Sequence, residues 1–166
     1  MKYTYAVILF LTALLLQTTL LNLIGLFGVT PNLILCLVII FSFLFDEGYY
    51  GVALGVPFGL LYDICFSEYV GLAAIGFFVI AFSIMIVNFV MNKETVLSVI
   101  LITIGATFLY QSIYWVIMAM LGSHYSYGYM LQYMPLNILY NTVITSILYY
   151  ALINKVTKHH KDRYYK

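Results

Sequence analysis

Asp63 ends the segment GVALGVPFGLLYD, residues 51–63, and a carboxylate in so apolar a stretch is tolerated in few ways. At 1.5 Å per helical residue it lies about 18 Å along the axis from Gly51, in the outer half of a bilayer crossed from that end. A charge at that depth is costly, so it should face the protein interior or a water-filled cavity and find partners there. Candidates at similar depth are Gln111, Asn137 and Asn141, with Tyr62, Tyr110 and Tyr114 nearby in sequence. Thr103, Thr107 and Gln111 form one four-residue stripe, and Asn137, Asn141 and Thr145 form another. A four-residue step keeps side chains on one helix face, so both polar rows can point inward. The expectation is a polar cavity centred toward the external side, with Asp63 as its only charge. Two kinds of chemistry fit: binding a small molecule, or hydrogen bonds that lock the helices together. For Asp63 both readings stand.

The same segment carries Gly51, Gly55 and Gly59 at four-residue intervals, with Pro57 among them. Apolar helices in lipid gain nothing by hiding from water, so they associate by close backbone packing, which small residues permit. The glycines therefore mark a helix-packing face within the protein or a docking face for a partner's helix. In the docking reading, Gly55→Leu removes partner binding while membrane insertion survives. Pro57 cannot donate to the carbonyl of Ala53, and its ring crowds that carbonyl, so a kink is expected there.

Other residues offer less. Cys36 and Cys65 have no metal-ligand spacing, and a disulfide between them has no support in the sequence. His159 and His160 lack a third ligand nearby. The acidic residues, Asp46, Glu47, Asp63, Glu68, Glu94 and Asp162, give no catalytic pair on neighbouring spans. No phosphate-binding loop, nucleophile elbow or zinc-protease motif occurs. Catalysis is the least supported class, and no cofactor, metal or nucleic-acid partner is expected.

The elements that must position these side chains follow from composition. Hydrophobic residues make up 64% and charged residues 8% of 166 residues, with a mean hydropathy of +1.03. A soluble domain carries about 25% charged residues, so this chain cannot cover a water-exposed globule. It reads as an all-α integral membrane protein with six apolar runs, near Tyr5–Ile24, Leu33–Phe45, Gly51–Phe66, Leu72–Met91, Val96–Leu121 and Tyr133–Ile153. A bilayer core needs roughly 20 helical residues to cross. Runs two and three fall short of that. They are either short spans lengthened by Asn32 and Asp46 at their ends or a re-entrant pair. Run one stays in place rather than being cleaved, because its apolar stretch exceeds that of a signal peptide.

Six transmembrane helices put both termini on one side. With N-in/C-in orientation, Lys2, Lys93, Lys155, Lys158, Lys161, Arg163 and Lys166 are all cytoplasmic, the positive-inside pattern. The chain divides into a six-helix transmembrane domain, residues 1–154, and a basic cytoplasmic tail, residues 155–166. The tail is a topology signal with some attraction to anionic membrane lipid, or a docking site for a cytoplasmic protein. The loop GSHYSYGYMLQY, residues 122–133, is dense in tyrosine, which suits both the membrane interface and protein contacts.

These motifs occur together in TPNLILCLVIIFSFLFDEGYYGVALGVPFGLLYDICFSEYVGLAAIGFFVIAF. Pro31-Asn32-Leu33 opens run two, the ladder runs from Gly51 to Asp63, and Gly71 and Gly76 follow at the start of run four. With the length, six-run hydropathy and basic tail, the whole chain resembles MreD, the bacterial rod shape-determining membrane protein. The resemblance implies a non-enzymatic component of the cell-wall elongation machinery in the bacterial plasma membrane. It implies binding to MreC, and through MreC a link to MreB and the peptidoglycan synthases. The fold it implies looks like the substrate-binding subunits of energy-coupling-factor vitamin transporters, which are also the alternative identity. Those subunits dock through an A-x-x-x-A pattern on their first helix. Here Ala6 is followed four residues later by Phe10, which favours the shape-determining reading.

Overall fold

A computed structural model describes residues 3–19, 28–45, 49–88, 95–123 and 126–164, with side chains as far as Ile153. Six helices make up nearly all of it: α1 (Tyr3–Thr19), α2 (Leu33–Leu44), α3 (Tyr49–Phe66), α4 (Leu72–Val87), α5 (Val96–Met120) and α6 (Tyr127–Tyr164). Three of them, α3, α5 and α6 as far as Ile153, are long and apolar enough to cross a membrane, and α1, α2 and α4 are shorter apolar helices.

The bundle is organised around α2. Every residue of α2 except Leu33 is buried, and all five other helices touch it. LILCLVIIFSFL is apolar on every side, the pattern of a helix enclosed by others rather than set against one neighbour. The surrounding helices are apolar outward as well. Ile75, Phe78, Phe82 and Ile86 on α4 are exposed, as are Leu97, Leu101, Ile104 and Phe108 on α5. Continuous apolar stripes of this kind are tolerated by lipid rather than by water. Polar residues lie inside instead: Gln17, Thr103, Thr107, Asn141 and Thr145 are all buried.

The glycine ladder faces inward. A Cβ added at Gly51 would overlap the Ser42 hydroxyl of α2. One at Gly55 would come within 2.8 Å of Val38 Cγ2 on α2, and one at Gly59 within 2.8 Å of Ala74 Cα on α4. The ladder thus seats α3 in the angle between α2 and α4, and the docking reading is corrected. A partner's helix cannot use a face that two helices of the same chain already fill. Pro57 lies on the opposite, exposed side, and the helix runs through it from Tyr49 to Phe66.

Gly76 repeats the device on α4, where a Cβ would press to 2.8 Å from the Tyr110 ring. Its absence lets Tyr110 stack on Phe77, with ring centroids 5.3 Å apart. At the far side of α2, Phe10 meets Phe41 at 5.6 Å and Phe58 at 5.3 Å, joining α1, α2 and α3.

Two boundaries differ from the sequence expectation. Helix α6 begins at Tyr127, so much of the tyrosine-dense loop is its first turns, and its backbone continues through the basic stretch to Tyr164. The amides of Tyr129 and Met130 bond the Ser126 carbonyl at 3.1 and 3.2 Å, which starts the helix there. Lys2, Asp46, Glu47, Lys93, Glu94 and Lys166 lie outside the described residues, as do the ends of runs one and four past Thr19 and Asn88.

Candidate functional site

At one end of the bundle, where α1, α3 and α5 finish and α2, α4 and α6 start, lies a partly open cavity of about 540 Å³. Its lining includes Asp63, Gln111, Asn137 and Asn141 together with Tyr62, Tyr110 and Tyr114. Three helices, α3, α5 and α6, contribute these side chains, each from the part of its element nearest the cavity.

Asp63 is 1% exposed, and its partners differ from the amides expected. Oδ2 accepts the backbone N–H of Gly71 at 2.9 Å and of Ala73 at 2.8 Å, and Oδ1 accepts the Ser67 hydroxyl at 3.1 Å. The first N–H groups of any helix lack intrahelical acceptors. Gly71 occupies the cap position of α4 with φ +105 and has no side chain to supply one; that left-handed φ is itself favourable only for glycine. Asp63 supplies the acceptor from α3 and places its charge at the positive end of the α4 dipole. It is therefore a cap delivered from a neighbouring helix, and it ties the 67–71 turn to the wall of the cavity. Nor is it the only charge: Glu68, exposed on that turn, also lines the space.

The start of α2 is satisfied in a similar way. Asn32 Oδ1 accepts the Leu35 N–H at 3.0 Å, and Gln17 Oε1 on α1 accepts that of Ile34 at 3.3 Å. The Asn32 N–H donates to Asn141 Oδ1 on α6 at 3.0 Å. Asn141 Nδ2 donates in turn to Thr107 Oγ1 on α5 at 3.3 Å, and the Cys36 thiol reaches the Asn141 carbonyl at 3.6 Å. One amide thus joins α2, α5 and α6. Asn141→Ala should lower stability by about 1–3 kcal/mol, because the Asn32 N–H is left without an acceptor. The thermal unfolding midpoint of the purified chain in detergent checks this; an unchanged midpoint would mean that water replaces the amide.

The inward stripes divide by depth. Thr103, Thr107, Asn141 and Thr145 are buried, whereas Gln111 and Asn137 are half-buried and closer to the cavity opening. Asn137 Nδ2 donates to the Tyr133 carbonyl at 3.2 Å. Gln111 forms no hydrogen bond among the described residues. Cys36 is buried, Cys65 exposed, and both are free thiols. Sequence reasoning missed Gln17 and Ser67. Gln17, an amide that follows the apolar stretch Ala13–Leu16 of the first run, could have been found by asking what such a polar group bonds.

A family model described as rod shape-determining protein MreD matches residues 1–157, nearly the whole chain. No curated protein and no solved structure matches it.

Proposed function

Because the chain belongs to the MreD family, a family of shape-determining membrane proteins, we propose that it is a non-enzymatic component of the cell-wall elongation machinery. It binds MreC, and through MreC supports MreB and the peptidoglycan synthases. The observation that carries this reading is a family match over almost the full length, joined to an all-helical bundle with an apolar exterior. In this reading all six helices lie in the plasma membrane with both termini cytoplasmic. The three shorter helices then depend on their neighbours: α2 is wholly enclosed, and α1 and α4 present lipid-facing stripes beside longer partners. The cavity end is the external one, opposite the basic tail.

The contact with MreC must use a surface other than the glycine ladder. Exposed apolar stripes on α4, α5 and α6 offer such surfaces. The cavity favours a second reading, the substrate-binding subunit of an energy-coupling-factor transporter, with a vitamin in that space. Against it, Ala6 and Ala13 of α1 are turned into the core and make no outward small-residue face for docking.

The experiment is affinity purification of the tagged chain from its native membrane in mild detergent, followed by mass spectrometry. Co-purification of MreC and wall synthases is the expected result. An ATPase pair with a transmembrane coupling subunit in their place would overturn the reading in favour of the transporter.

A further inference from the structure

We propose that the cavity at the external end of the bundle is a binding site for an uncharged saccharide. The inference goes beyond the assembly role, since a chain that recovers its partners need not bind sugar and the converse also holds.

Size comes first. A volume of about 540 Å³ is within the range of about 300–1,000 Å³ typical of small-molecule sites, and it has room for a disaccharide.

Charge then narrows the class. Among the described residues the lining contains two carboxylates, Asp63 and Glu68, and no lysine, arginine or histidine. Helix N-termini can attract anions, but those of α2 and α4 are already occupied by Asn32, Gln17, Asn141 and Asp63. A phosphate or carboxylate ligand would meet the net negative charge of this lining. A cation is served little better. Asp63 already receives three donors, and Glu68 is exposed on the turn, where solvent and salt screen it.

What remains is neutral hydrogen-bonding capacity beside flat rings. Gln111 is half-buried without a hydrogen bond among the described residues, and it offers an acceptor and two donors. Asn137 has an NH₂ engaged with Tyr133, and its Oδ1 takes no donor among the described residues. Tyr62, Tyr114 and Tyr133 border the same space. An aromatic ring has a negative face that attracts the positive edges of other groups, and the C–H face of a pyranose is such an edge. Amides for hydroxyls and rings for the C–H face together match a saccharide and neither a hydrocarbon nor an ion.

The saccharide has two sources, a soluble oligosaccharide or the headgroup of a glycolipid in the outer leaflet. The full-length chain in nanodiscs distinguishes them by saturation-transfer NMR with cellobiose, maltose and di-N-acetylchitobiose as soluble probes. The same measurement is repeated in discs containing glucosyl-diacylglycerol. Transfer to a disaccharide that persists in those discs assigns a soluble ligand. Transfer that the glycolipid abolishes assigns its headgroup. Gln111→Leu should weaken binding about tenfold while leaving the unfolding midpoint in place, because it breaks no internal bond; Asn137→Leu serves as the second variant. The proposal is overturned if no disaccharide shows transfer and the glycolipid leaves the midpoint unchanged. It is equally overturned if glucose 6-phosphate or choline binds as well, or if both variants bind like the parent.

Discussion

Gly59→Leu is expected to yield no folded chain. A Cβ at this position would stand 2.8 Å from Ala74 Cα, 2.9 Å from Ala74 N and 2.9 Å from the Phe77 ring. Two of those atoms are backbone, so no rotamer change relieves the clash, and α3 and α4 must separate. Gly59→Ala alone should cost about 1–3 kcal/mol, the usual penalty for overpacking a fitted interior. The full leucine side chain adds three more carbons to a contact that has no room for the first. Size-exclusion chromatography and the unfolding midpoint in detergent read both variants. Gly105→Ala supplies the opposite sign. Gly105 is exposed on α5 and nothing approaches its missing Cβ within 4 Å, so alanine should stabilise the helix by about 0.5–1 kcal/mol. A monodisperse, parent-like Gly59→Leu would show that α3 and α4 are not packed at this distance. Selective loss of partner binding with an intact fold, the behaviour of a docking face, is not expected from any rung of the ladder.

Asp63→Leu should destabilise the chain by about 2–5 kcal/mol. The substitution strands the Gly71 and Ala73 amides, and each buried donor left without an acceptor costs about 1–3 kcal/mol. The charge at the start of α4 is lost with them. Asp63→Asn retains one acceptor oxygen and should cost roughly half as much by the same reasoning. Its amide must turn its oxygen toward Gly71 and Ala73 and its NH₂ toward Ser67. Amide hydrogen exchange localises the effect: Gly71 and Ala73 should lose protection before the centre of α4 does. If Asp63→Leu melts like the parent and exchanges no faster there, the carboxylate is not the cap of α4 and its role must be sought in the cavity.

Much of this architecture could be read from the residues. The starts of α2, α4 and α5 coincide with the apolar runs at Leu33, Leu72 and Val96, because polar or loop-forming residues precede each. The four-residue stripes on α5 and α6 do turn inward, since a buried face is a periodic property and periodicity is written in sequence. What covers a face is not. The ladder showed that α3 is closely approached, but only coordinates identify Val38, Ser42 and Ala74 as what approaches it. Asp63 presents the same difficulty from the polar side. Its partners are backbone amides beyond a tight turn, and backbone groups leave no trace in residue type. The start of α6 was misplaced for another reason. Hydropathy follows contact with lipid, whereas a helix is held by its own hydrogen bonds and continues through Tyr127, Tyr129 and Gln132 regardless of their polarity.

The twelve residues of α2 rise only about 18 Å at 1.5 Å each, against a hydrocarbon core of about 30 Å. The central pillar of the bundle is therefore shorter than the wall around it. Its N-terminal end, with Asn32 and Leu35, forms part of the cavity lining. The hollow is accordingly a matter of helix length before it is a matter of side chains. Its depth is set by where Pro31 and Asn32 stop α2, and one more helical turn at that end would fill it with backbone.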